Sequence, residues 1–185
     1  MIIDLAKALR TRLQGRLNGR RDFARLCDLL SNAPAGEVIF LDFEGVELVT
    51  GSWVNAALVP LVRWAADERN DLFPVILNAR REWLDDLTLV AEFTHQCYLV
   101  AEGDPPCRAM LVGSLDPGQR TTLEALLELQ EVTGAELERQ KPREGVKATA
   151  WNNRLRDLYE KRLLRRVKRG REQFYSPVVK EVVLG

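Results

Sequence analysis

The feature that most restricts the fold is a pair of short runs, residues 37–43 (EVIFLDF) and 73–78 (FPVILN), that are apolar on both faces. A strand with one face in water alternates polar and apolar residues, so a run without alternation fits a strand covered on both sides. Between them, from Ser52 to about Glu68, Val54, Leu58, Leu61, Val62 and Ala65 keep helical spacing, and Ser52 is a natural cap for that helix. Pro60 lies inside it, so a kink or interruption is expected there. Residues 1–4 and 97–101 read as further strands, and 18–30 and 82–93 as further helices. In 18–30, Phe23, Leu26, Cys27 and Leu30 form the apolar stripe, with Arg20, Arg21 and Arg25 elsewhere around the helix. The order β-α-β-α-β-α-β predicts an α/β domain with a mixed or parallel sheet.

Residues 103–106 (GDPP) are the best linker in the chain, and Arg108–Val112 reads as one more strand beyond it. The remainder has a different pattern. Asp116 and Pro117 are a cap and a first helical residue, and Leu123, Leu126, Leu127 and Val132 keep helical spacing until Gly134. Gly134–Gln140 is a second, short helix, 141–145 a loop and 149–161 a third helix. Residues 164–168 and 173–175 are strands joined through Arg169 and Gly170, a hairpin-turn signal. Two units are expected, 1–104 and 107–185.

Composition removes most enzyme classes that can be read from a sequence. The 185 residues are 46% hydrophobic and 29% charged, enough for a buried core, and no window is apolar enough for a membrane span. Residues 1–30 lack a secretory pattern, so a cytoplasmic protein is expected. There is one histidine, His95, and the three cysteines Cys27, Cys97 and Cys107 are widely spaced, so zinc-finger and disulfide frameworks do not fit. No GxGxxG, GxxxxGK[ST] or GxSxG occurs. Asp42 and Glu44 are paired carboxylates with no partner visible in the sequence. No catalytic residue, metal or cofactor is therefore expected. His95 reads as structural, and Cys27 and Cys97 as small buried hydrophobes.

The formal net charge is zero, but the charge is unevenly distributed. Residues 1–30 carry seven Lys/Arg against three Asp/Glu, 31–140 seven against nineteen, and 141–185 thirteen against five. An acidic middle and a basic tail suggest a nucleic-acid contact in the tail. In the third helix, Trp151, Leu155 and Leu158 form one apolar stripe, while Asn152, Asn153 and Arg156 lie off it and Thr149 opens the helix as its cap. Amide, guanidinium and hydroxyl groups are those that pair with base edges and phosphates in a major groove. Asparagine is a poor helix former, so two in a row are not there for helix stability. Lys147 precedes this helix. Lys161, Arg162, Arg165, Arg166, Lys168, Arg169 and Arg171 fall within eleven residues, and a hairpin tip bearing Lys168, Arg169 and Arg171 suits a phosphate backbone or a minor groove.

Residues 115–178 resemble winged helix-turn-helix domains of bacterial transcription regulators. The resemblance rests on TAWNNRL from Thr149, Leu158, LLRR from Leu163, Gly170-Arg171 and Tyr175-Ser176-Pro177. It implies that the third helix enters the major groove and the hairpin touches the backbone. The long charged loop after the second helix departs from that pattern.

Residues 1–102 resemble STAS-like domains of unknown function, relatives of anti-sigma-factor antagonists. The residues that carry this are 36–58 (GEVIFLDFEGVELVTGSWVNAAL) and 9–15 (LRTRLQG). In the antagonists an Asp-Ser pair at the helix start carries a phosphoacceptor serine. Here Thr50 and Gly51 occupy those positions, leaving Ser52, one residue later, or Thr50 as candidate acceptor.

The expected function is a DNA-binding transcriptional regulator with a STAS-like sensing or protein-interaction unit. The expected partners are double-stranded DNA, a protein bound through the STAS-like unit and a second copy of the chain, with no membrane contact. The alternative is a partner-switching adaptor that uses the winged helix to dock a protein and does not bind DNA.

Overall fold

A computed structural model describes residues 1–103, 108–142 and 145–184. Its centre is a six-stranded sheet in the order β1-β3-β5-β6-β7-β10. The strands are β1 (Ile2–Asp4), β3 (Val38–Asp42), β5 (Phe73–Leu77), β6 (Tyr98–Ala101), β7 (Arg108–Val112) and β10 (Glu181–Val183). Every pairing is parallel except β6 with β7. A two-residue pair, β2 (Arg12–Leu13) with β4 (Leu48–Val49), lies outside it. The α/β class and the parallel-dominated sheet are those expected.

The apolar runs are explained by what covers them. Ile39, Leu41, Ile76, Tyr98 and Val100 face one core, shared with α2 (Arg16–Leu30), α3 (Gly51–Asp67) and α4 (Leu84–Thr94). Val38, Phe73, Val75, Leu77 and Leu99 face the other, shared with α5 (Pro117–Leu129), α6 (Gly134–Gln140) and α7 (Ala148–Glu160). Residues 1–104 and 107–185, expected as separate units, thus meet across a common core. The chain past the linker supplies β7 and β10 to the sheet and helices to its second face. Asp104 to Cys107, including most of the expected linker and one cysteine, lie outside the described residues.

Several boundaries differ from expectation for local reasons. The short α1 (Leu5–Ala8), capped by the Asp4 carboxylate on Lys7 N–H at 3.0 Å, is an element beyond those the sequence pattern predicts. Thr50, not Ser52, is the residue before α3, and Ser52 sits within its first turn. The helix continues past Pro60 as one element. Asp116 caps α5, as the sequence indicated, and closes a capping box with Gln119. That helix ends at Leu129, before Val132, because Gln130 takes φ 65°.

The side of the sheet carrying α2 and α3 is held by a buried polar knot. Asp22, 1% exposed, accepts both Arg10 guanidinium N–H groups at 2.6 and 2.7 Å and Trp53 Nε1 at 2.8 Å. Gly19 lets α2 and α3 approach, since a Cβ there would lie 2.7 Å from that of Ala56. Among the described residues no helix is long and apolar enough to cross a membrane.

Candidate nucleic-acid interface

The last third of the chain folds as helix, bridge, helix, helix, hairpin. After α5, Val132 forms a two-bond antiparallel bridge with Tyr175. Thr133 then begins α6 with a capping box to Glu136, as its hydroxyl accepts the N3 amide and the glutamate answers the Thr133 N–H at 2.7 Å. A Cβ at Gly134 would fall against the Asn152 side chain and 2.8 Å from the Ala148 carbonyl oxygen, so α6 and α7 cross tightly there. The hairpin is β8 (Leu164–Arg169) with β9 (Glu172–Pro177), closed at Arg169 and Glu172. Gly170 takes φ 61° in its two-residue turn, a conformation glycine adopts without steric cost.

Helix α7 buries Trp151, Leu155, Leu158 and Tyr159 against the sheet side. Thr149, Asn152, Asn153 and Arg156 are exposed, as the helical periodicity predicts. Two corrections concern its start. Lys147, not Thr149, is the N-cap residue, and it makes no side-chain capping bond. Glu138 of α6 does that work, accepting Ala148 N–H at 3.0 Å and holding the Lys147 ammonium at 3.4 Å. Thr149 is therefore an exposed first-turn residue. Arg156 lies 3.8 Å from Glu160, an exposed contact of little energetic weight.

The hairpin cations do not all stand free. Lys168 and Arg171 are exposed and take part in no ion pair or hydrogen bond among the described residues. Arg169 is also exposed but is held by the Glu131 carboxylate through two bonds, at 2.6 and 2.9 Å, and lies 4.8 Å over the Phe174 ring. Arg166, one of the seven clustered cations but not one of the expected DNA-contacting residues, is exposed with its guanidinium 4.2 Å over the Tyr159 ring. Strand alternation puts it on the same face as Lys168, a signal the sequence did carry.

Arg162 belongs to the core. It is 2% exposed, with φ 62°. Its guanidinium donates to the Asn70 carbonyl at 2.9 Å and stacks 4.3 Å over Tyr159. Burial pulls its pKa below the ordinary arginine value. Tyr159 donates its hydroxyl to the same Asn70 carbonyl at 2.6 Å, and the Lys161 ammonium donates to the His95 carbonyl at 3.0 Å. These three side chains fasten α7 to the first hundred residues.

Other candidate residues settle into local roles. Ser52 is exposed, and its Oγ lies 3.1 Å from Thr50 Oγ1. The Asp86 carboxylate already accepts the first amide of α3, Gly51 N–H, at 2.9 Å. Asp42 accepts from Glu44 N–H and from Asn78 Nδ2, each at 2.9 Å, beside an open crevice that Glu44, Asn78 and Arg80 help to line. Cys27 is partly buried, which raises its pKa to about 11, and Cys97 is buried with its pKa raised for the same reason. Among the described residues no group of three His, Cys, Asp or Glu side chains could hold a metal ion.

Compared with protein-family models, with curated proteins and with solved structures, the chain finds no match.

Proposed function

We propose that this chain is a cytoplasmic DNA-binding transcriptional regulator whose first hundred residues form a STAS-like sensing or protein-interaction unit. The observation that carries the reading is the partition of α7. Its apolar stripe is spent on the core, while Thr149, Asn152, Asn153 and Arg156 remain open to solvent. The hairpin that follows presents Lys168 and Arg171. The order α5, Val132 bridge, α6, α7, β8, β9 also supports it, since a winged helix places a short strand between its first two helices and pairs it with the hairpin. In this reading α7 enters the major groove, its asparagines meeting base edges. Lys168 and Arg171 neutralise backbone phosphates. A second copy of the chain would read a second half-site.

The test is fluorescence anisotropy with random-sequence duplexes at about 50 mM salt. Wild type binds, and the Lys168→Ala/Arg169→Ala/Arg171→Ala variant, checked for an intact fold by circular dichroism, loses roughly tenfold or more in affinity. If wild type retains no duplex under those conditions, the regulator reading fails and the protein-docking adaptor takes its place.

A further inference from the structure

Helix α2 breaks two electrostatic habits at once. Arg16 and Arg20 stand in its first two turns, four residues apart, with no acidic residue in the first turn. Cations are disfavoured near a helix N-terminus, and like charges at that spacing repel. Helices α4 and α6 follow the usual pattern, with Asp85 and Asp86 opening α4 and Glu136 in the first turn of α6. A local rule broken with no compensating contact inside the protein marks a functional position.

Both arginines line an open cavity of about 690 Å³ between α2, α3 and the end of α4. Arg63 of α3, Asn55 and His95 also line it, and no carboxylate does. Among the described residues none of these five side chains makes an ion pair or a hydrogen bond. The walls also include Phe23, Pro60 and Phe93. Phe93 is 85% exposed and Leu89 65%. These two, with Val90, continue the cavity into a mostly apolar lobe that shares Asn55 and Phe93 and has the Glu92 carboxylate on its rim, away from the three arginines of the main cavity. The volume lies in the range that holds a small ligand. Guanidinium groups are suited to phosphate, which they meet through paired N–H donors.

We infer that this cavity binds a small phosphorylated molecule with an aromatic or other apolar body. Arg16, Arg20 and Arg63 hold the phosphate, Asn55 contributes a neutral hydrogen bond, and Phe23 and Phe93 cover the apolar part. DNA is not the occupant in the binding mode proposed above. Leu26 and Leu30 of α2 belong to the core on one side of the sheet, and Leu155 and Leu158 of α7 to the core on the other. The site therefore stands or falls apart from the DNA reading.

The probe is 1-naphthyl phosphate, titrated by calorimetry against the full chain at low ionic strength, with inorganic phosphate alongside. Wild type binds the aryl phosphate at about 1 mM or tighter, and roughly tenfold tighter than inorganic phosphate. Arg16→Ala/Arg20→Ala/Arg63→Ala weakens the aryl phosphate at least about tenfold, with the melting temperature of the probe-free protein unchanged. Phe93→Ala lowers the preference for the aryl phosphate over inorganic phosphate. An equal charge loss elsewhere, Arg81→Ala/Arg108→Ala/Lys180→Ala, leaves binding as in wild type. Equal binding by wild type and the three-arginine cavity variant overturns the proposal, as does no binding at about 10 mM. It is equally overturned if neither protein binds the probe and the cavity variant instead loses a homodimer seen in sedimentation, since the cavity is then a protein interface.

Discussion

Two arginine-rich regions, the hairpin with its preceding helix and the outer side of α2, look alike as strings of letters and differ as surfaces. In the first, Arg162 is buried on backbone carbonyls, Arg169 is tied to Glu131 and Arg166 lies over Tyr159. Lys168 and Arg171 are exposed hairpin cations with no ion pair, hydrogen bond or ring contact among the described residues. In the second, Arg16 and Arg20, joined by Arg63, line a cavity with no counter-charge. A count of cations therefore overstates the free charge of the hairpin and passes over that of α2. Charge that the fold uses is stability, and charge it leaves unpaired is available for a ligand.

The largest effect should come from the arginine most completely absorbed. Arg162→Ala removes the donor to Asn70 and the plane stacked on Tyr159, and opens a cavity where α7 meets the first hundred residues. A loss of about 3 kcal/mol is expected in urea unfolding. A loss under about 0.5 kcal/mol would place Arg162 with the surface cations and break the comparison. Arg162→Met, which keeps much of the volume, should recover part of the loss because apolar replacement of a buried charge is often tolerated.

Next in size is the contrast in DNA binding. Lys168→Ala/Arg171→Ala should lower affinity about tenfold or more and flatten the salt dependence by nearly two phosphate contacts. Arg16→Ala/Arg20→Ala removes the same charge from the other side of the sheet and should leave the salt slope unchanged. Equal slopes for the two variants would mean that duplex binding follows net charge and not a shaped surface.

How much of this could be read from the chain follows from the range of the interactions. Residues 37–43 and 73–78 announce themselves because both faces of those strands are covered, and that leaves a continuous apolar run. The exposed set on α7 is legible because helical periodicity is local. Strand β10 is not legible in the sequence because three residues of Glu-Val-Val carry little signal and the partner, β7, lies some seventy positions earlier. Val132 reads as helix because its spacing suits the leucine stripe. Its bond to Tyr175, from forty-three positions away, decides otherwise. The same holds for charge. Nothing near Arg169 in sequence foretells Glu131, and nothing near Arg20 foretells Arg63.

The smallest expected effect is the most direct probe of the comparison, because it alters no cation. Glu131 holds Arg169 through two short bonds on an exposed surface, 43% and 54% exposed respectively. An exposed pair of this kind contributes at most about 1 kcal/mol. Glu131→Gln should therefore lower the melting temperature only slightly while releasing a guanidinium at the hairpin tip. If absorption into the fold is what silences Arg169, duplex affinity should rise about two- to threefold, and the salt slope should steepen by a little under one. Arg169→Ala in the Glu131→Gln background should then cost affinity, whereas Arg169→Ala in wild type should cost almost none. Equal losses in the two backgrounds would show that the carboxylate never competed with phosphate for this arginine. The division between used and free charge would then lie elsewhere on the hairpin.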